Sequence, residues 1–293
     1  MGEQVSKTNK FHMKGGYILY NGKFYRESET LFTGSDLYRL NTGIRESFRT
    51  ENNLVIFAED NFNYLINSLL SIGMPIPKDW ELPRFVRDVS RLLNKNHFFL
   101  AAKVVIHLIP GTSGTDYLLT AEEVPVGFYP ISEGGLLIDF FDEGAKAPSI
   151  YHAYEPSSRF AWIAATRAAL SKSKDNLILS NNDGFACESI GGTFGYLIDG
   201  TAVFPAPEAQ GYCPPILGVV MECAEQFGFE VTEKKEISHE DLLLADEMFL
   251  IDNCLGIQLV LGLDSRRYYT TGTTNIAVRL SEMAREEHLR LGI

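Results

Sequence analysis

Two side chains with chemistry to offer, Lys103 and His107, share one parity of the segment Phe98–Ile109, FFLAAKVVIHLI. Alternate residues of a strand face opposite ways. Lys103, Val105, His107 and Ile109 therefore take one face, while Ala102, Val104, Ile106 and Leu108 make the other wholly apolar and assign it to a core. Lys103 and His107 leave the core together and are candidate catalytic residues. Lys103 could bind an anion, or act as an amine nucleophile if burial lowers its proton affinity. Four residues of strand separate the pair by roughly 13 Å, too far for contact but suited to the two ends of one ligand. Arg45 and Arg49 share a second strand parity, and one of them is placed to take a carboxylate in bidentate fashion. His152, Tyr154 and Arg159 cluster at the start of an apolar helix and are candidate substrate-binding residues. Lys146 is a further amine in the irregular approach to that helix.

Other chemistries find no support in the spacing. His97 and His107 lie roughly 33 Å apart along one extended segment, and no His/Asp/Glu cluster has metal-ligand spacing. Cys187, Cys213, Cys223 and Cys254 form no C-x-x-C pair, so a reduced, cytoplasmic protein with buried thiols is expected. There is no G-x-S-x-G nucleophile motif, and the glycines around Gly114 make no dinucleotide fingerprint. A net charge of −12 repels phosphate backbones, which argues against nucleic acid. No apolar run reaches the roughly 18 residues of a membrane span. Met1–Lys10 lacks a signal-peptide core; its M-G-x-x-x-S pattern is short enough to arise by chance in a terminal tail.

The elements that must position these residues follow from periodicity. With 293 residues, 45% of them apolar, the chain can bury two cores. Residues 1–14 read as a disordered tail, 15–118 as an N-terminal α+β domain and 119–293 as a C-terminal α+β domain, with the boundary in the polar stretch Thr115–Glu123. Tyr17–Tyr20 and Lys23–Arg26 flank an Asn-Gly turn and make a hairpin. Gly43–Thr50 and Leu54–Phe57 make another. Asp60–Gly73 and Trp80–Asn94 show helical apolar spacing. Strands are expected at Pro125–Pro130, Gly135–Phe141 and Asn176–Leu179, and another ends on Glu188. Further strands are expected at Phe194–Ile198, Ala202–Phe204, Glu230–Glu236, Met248–Ile251 and Gly256–Leu261, with helices at Ile216–Phe227, Ser238–Ala245 and Thr273–Leu291. The order lacks regular βαβ alternation, which makes the class α+β.

Several of these segments together resemble the class IV aminotransferases, which include branched-chain and D-amino acid aminotransferases and aminodeoxychorismate lyase. The segments are Gly43–Arg49 (GIRESFR), the helix–strand–turn–strand of Ser158–Glu188, and Ala245–Leu250 (ADEMFL). The likeness runs from about Tyr17 to about Glu287. It implies a two-domain pyridoxal phosphate fold of type IV, a homodimer, and a substrate cleft bordered by the Lys103–His107 strand. It also implies that Glu188 meets the cofactor's pyridine nitrogen. The family's Schiff-base lysine falls at Ser158, its phosphate-gripping arginine near Tyr64, and its two phosphate-loop threonines near Leu217 and Asn253. Four changed groups in one pocket imply altered cofactor chemistry.

Three functions are compatible with this reading. One is a class IV aminotransferase-like protein that has lost orthodox pyridoxal phosphate transamination and keeps an inter-domain pocket for a small anionic or amino-acid-like ligand. The second is a working pyridoxal phosphate aminotransferase or lyase using another lysine. The third is a non-catalytic dimeric scaffold.

Overall fold

The computed structural model describes residues 16–29, 42–112, 114–132, 134–154 and 159–291. The tail expected at 1–14 and Ser158 lie outside the described residues. Two sheets organise the chain, each with its own apolar core.

The first sheet is antiparallel, in the order β2 (Lys23–Arg26), β1 (Tyr17–Tyr20), β6 (Thr115–Glu123), β5 (Ala101–Pro110), β3 (Ile44–Glu51), β4 (Leu54–Val55). Asn21 and Gly22, both at positive φ, close the β1–β2 hairpin. Helices α1 (Ala58–Ser71) and α2 (Leu82–Asn96) cover one face. There Ala102, Val104, Ile106 and Leu108 pack with Phe48, Phe85, Leu92, Tyr117 and Leu119, as the alternation in β5 requires. The register pairs Arg45 with His107, Ser47 with Val105 and Arg49 with Lys103. Cross-strand partners share a face, so these six residues form the side of the sheet turned away from its helices.

The second sheet is mixed, in the order β12 (Glu230–Lys234), β11 (Thr201–Pro205), β10 (Thr193–Ile198), β13 (Glu247–Asp252), β14 (Gly256–Leu263), β7 (Leu136–Phe140), β8 (Asn176–Ser180), β9 (Ala186–Ser189). β15 (Arg266–Arg267) pairs with β14. Helices α4 (Leu217–Gln226) and α6 (Thr271–Leu291) close one core with Phe204, Phe249, Ile251 and Ile276. Helix α3 (Phe160–Lys172) lays Trp162, Ala165, Ala168 and Ala169 against Leu177, Leu179 and Tyr212. The short helix α5 (His239–Leu244) carries a reciprocal cap in which Ser238 Oγ accepts from Asp241 N and Asp241 accepts from Ser238 N.

Three expectations differ from what is observed. Thr115–Glu123 is a full strand of the first sheet, so its chain runs five residues past 118 before the crossing to the second sheet. The polar residues Asp116, Thr120 and Glu122 suggested a linker, but they alternate with Tyr117, Leu119 and Ala121, which enter the core. Pro125–Pro130 is not a strand: Gly127 has φ 132 and Tyr129 φ 52. Its carbonyls serve Arg49 instead, whose Nε donates to Gly127 O at 2.9 Å and whose Nη2 donates to Pro125 O. The helix expected from Trp80 begins at Leu82, with Pro83 in its first turn, where no intrahelical N–H is needed.

Candidate functional site

The site grows from Glu188, on β9 and 1% exposed. A buried carboxylate must be paired or hydrogen-bonded, and the chain supplies every partner. Trp162 Nε1, from the first turn of α3, donates to Glu188 Oε1 at 2.9 Å. Tyr212 N donates to Oε2 at 2.8 Å, and the ammonium of Lys146 donates to the same oxygen. Lys146 reaches it because its backbone extends the sheet: Lys146 N donates to Ser180 O at 2.8 Å, and Lys146 forms a parallel bridge with Asn181. Its Nζ also donates to His152 O at 3.3 Å. Tyr212 N is brought in by Gly211, where a Cβ would lie 1.8 Å from Cys187 O, so no other residue fits this crossing of backbones.

Tyr212 also ties the two sheets together. Its hydroxyl donates to Glu46 Oε2 at 2.7 Å, while Glu46 Oε1 accepts from Ser47 N at 2.8 Å. The indole of Trp162 meets the Tyr212 ring edge-on, with centroids 5.5 Å apart. The guanidinium of Arg159 lies over Trp162, 4.7 Å from its centroid. Lys146, Glu188, Tyr212, Trp162, Arg159 and Tyr154 line a half-open cavity of about 70 Å³.

Arg45 and His107 approach the same region from the first sheet. The ordinary proton affinity of His107 is pushed down to about 4, first by burial and then by the positive charges of Arg45 and Arg159. Imidazole and guanidinium groups from two domains thus share one field. His107 is neutral at physiological pH, and its buried Nδ1 has no hydrogen-bond partner.

The remaining sequence candidates divide. Tyr154 lines the cavity, and His152 stands beside it through the carbonyl that accepts from Lys146 Nζ. His152 Nδ1 lies 2.8 Å from Ser149 O, and Tyr154 OH lies 2.9 Å from Ser71 Oγ. Tyr64 OH donates to Ala153 O at 3.0 Å and its ring packs against Tyr154. Leu217 is buried in an apolar cluster. Asn253 spends its amide on Ser47 O and Asn61 Oδ1, both at 2.8 Å, where it bridges the domains. Lys103 leaves the core face as expected, but neither it nor His107 lines the cavity, and Lys103 lies outside the Arg45–Arg159 field that His107 feels. It pairs at 3.6 Å with Glu122, itself 57% exposed, because the register sets it at the Arg49 end of the strands, four residues from the Arg45–His107 pair. Lys146 is the amine at the centre. No spacing rule points to it, since the loop that carries it closes on Glu188 through tertiary contacts.

A larger cavity of about 440 Å³ lies between the 125–134 connection and β14, with Arg49 at its edge. Arg49 is already engaged there by two carbonyls and by Glu51 at 3.5 Å. Among the described residues, no cluster of three or more His, Cys, Asp or Glu could hold a metal ion, and no helix is long and apolar enough to cross a membrane.

Residues 43–262 match the family model for the class IV amino-transferases. Solved structures agree over nearly the whole chain. The branched-chain amino acid aminotransferase of Escherichia coli superposes with a TM-score of 0.77 at 18% identity, covering 89% of this chain and 91% of its own. The branched-chain aminotransferase of the archaeon Thermoproteus uzoniensis, solved with norvaline, gives 0.79 at 19%, covering 94% and 95%. A hypothetical aminotransferase from Mycobacterium tuberculosis, in its α-ketoglutarate and PMP-bound form, gives 0.78 at 18%, covering 92% and 98%. No curated protein sequence matches significantly.

Proposed function

Because the chain belongs to the class IV aminotransferase family, we propose that it has kept the family's two-domain frame and given up orthodox pyridoxal phosphate transamination. In this reading the cleft between the two sheets takes a small anionic or amino-acid-like ligand. The observation that carries this is the Lys146 ammonium on Glu188. If Glu188 is the carboxylate that meets the pyridine nitrogen in relatives, its place is taken here by a cation of the chain itself. Three further features agree. The cavity beside Glu188, about 70 Å³, is well below the roughly 300 Å³ or more of cofactor-sized pockets. The positions expected to grip a phosphate are the apolar Leu217, the committed amide of Asn253 and the committed hydroxyl of Tyr64. Charge-assisted bonds to such an anion contribute about 1.5–3 kcal/mol each, and that contribution is absent from these three positions. The described residues thus fit a small carboxylate better than a phosphorylated pyridine.

A second reading is a working pyridoxal phosphate enzyme in which Lys146 replaces the missing lysine at Ser158. It is favoured by the placement of an amine against the family carboxylate. Absorbance titration with pyridoxal phosphate separates the two. The first reading expects no aldimine band and no cofactor fixed by borohydride, with saturable calorimetric binding of a small carboxylate. A stoichiometric aldimine reduced onto Lys146 would establish the second. We further propose a cytoplasmic homodimer. Sedimentation as a monomer at micromolar concentration would refute the dimer.

A further inference from the structure

We propose that Lys146 is an imine-forming lysine for a small 2-oxo acid, acting without a bound cofactor. The inference rests on the small-anion reading above and names its ligand class and chemistry.

The cavity defines the ligand. A single water requires roughly 10–15 Å³, so this half-open cavity of about 70 Å³ has room for a body a few such units across, such as glyoxylate or pyruvate. Among the described residues its walls carry two cations, Lys146 and Arg159, and one carboxylate, Glu188, and are otherwise largely aromatic. An anion is therefore favoured over a cation or a neutral sugar. The guanidinium of Arg159, held over the Trp162 ring, supplies the field for the carboxylate end. The amine of Lys146 sets the chemistry, because an amine next to a carbonyl carbon forms a Schiff base.

Glu188 makes the step feasible. The ammonium passes a proton to Glu188 Oε2 along the hydrogen bond already in place. The freed amine attacks the carbonyl carbon, forming a C–N bond and moving the C=O π pair onto oxygen. Protonation of that oxygen and loss of the amine's second proton give the neutral carbinolamine. Glu188 returns its proton to the hydroxyl, water leaves, and an iminium remains. One water is released, and the cation facing Glu188 is conserved: ammonium before, iminium after. Trp162 Nε1 and Tyr212 N hold the carboxylate in place throughout. No oxidant, reductant or metal enters the balance.

The test treats the full chain with pyruvate and sodium borohydride, followed by peptide mapping. The expected result is a single reduced adduct on Lys146. It should be absent in Lys146→Arg, which keeps a cation on Glu188 and so should keep the wild-type melting temperature. In Glu188→Gln, which can still accept the Trp162 bond, trapping should slow at least tenfold while pyruvate binding by calorimetry is retained or tightened, because the variant removes the carboxylate and leaves both cations on the cavity wall. Adducts absent from Lys146, or spread over exposed lysines, would overturn the proposal. The adduct map of the unmodified chain decides this even if Lys146→Arg folds poorly. Saturable pyruvate binding without an adduct rejects the imine and leaves the small-anion reading standing. Absence of both binding and adduct rejects both.

Discussion

Replacing Lys146 by methionine removes the ammonium from Glu188 while retaining an unbranched side chain of similar reach. Glu188 is 2% exposed at its side chain and Lys146 18%, so the carboxylate cannot recover its partner from bulk water without opening the site. Removing one member of a buried pair costs about 3–5 kcal/mol. Glu188 keeps the Trp162 and Tyr212 donors, which places the expected loss at the lower end, about 3 kcal/mol. Glu188→Gln alone should be destabilising as well, because with its oxygen on Trp162 its amide nitrogen would face both the Tyr212 N–H and the ammonium. The double variant loses both charges together and should recover about 1–2 kcal/mol relative to the sum of the singles. Denaturant midpoints at constant slope measure all three. A Lys146→Met cost under about 1 kcal/mol, or additivity within about 0.5 kcal/mol, would show that the ion pair is not the buried centre described here.

His107 carries a pH dependence. Its folded affinity, about 4, lies below the ordinary 6.5, so between those values the unfolded chain binds more protons. Stability is then fully present above pH 6.5 and falls as pH drops towards 4, by about 2–3 kcal/mol; His107→Gln should remove that loss, and a pH-independent difference between the two proteins would refute it. Gly211→Ala should cost about 3 kcal/mol or more in thermal or denaturant melts, because its Cβ would lie 1.8 Å from Cys187 O; a wild-type melt would mean that the 211–212 backbone does not cross β9 there. Lys103→Ala should change stability by no more than about 0.5 kcal/mol, its partner Glu122 being exposed, and should leave borohydride trapping at Lys146 intact; loss of trapping would return Lys103 to the site.

Much of the frame was legible because it depends on local periodicity. The alternation in Ala101–Pro110, the Asn21-Gly22 turn, the capped helix at Ser238 and the apolar face of Leu82–Asn96 each rest on contacts or backbone preferences that short windows of sequence report. The two-domain class and the family likeness follow from the order of such segments, and Glu188 was found through that likeness. Long-range closure is not encoded in windows. Strand parity placed Lys103 and His107 on one face, but the register of β3 against β5 set His107 beside Arg45 and Lys103 beside Arg49. Thr115–Glu123 read as a polar connection because one face of a strand lying between two others carries its polar residues. Lys146 stands 42 residues from its carboxylate, in a loop without periodicity. Only the folded sheet, by bridging Lys146 to Asn181 and crossing Gly211 over Cys187, brings amine, indole and carboxylate into one cavity.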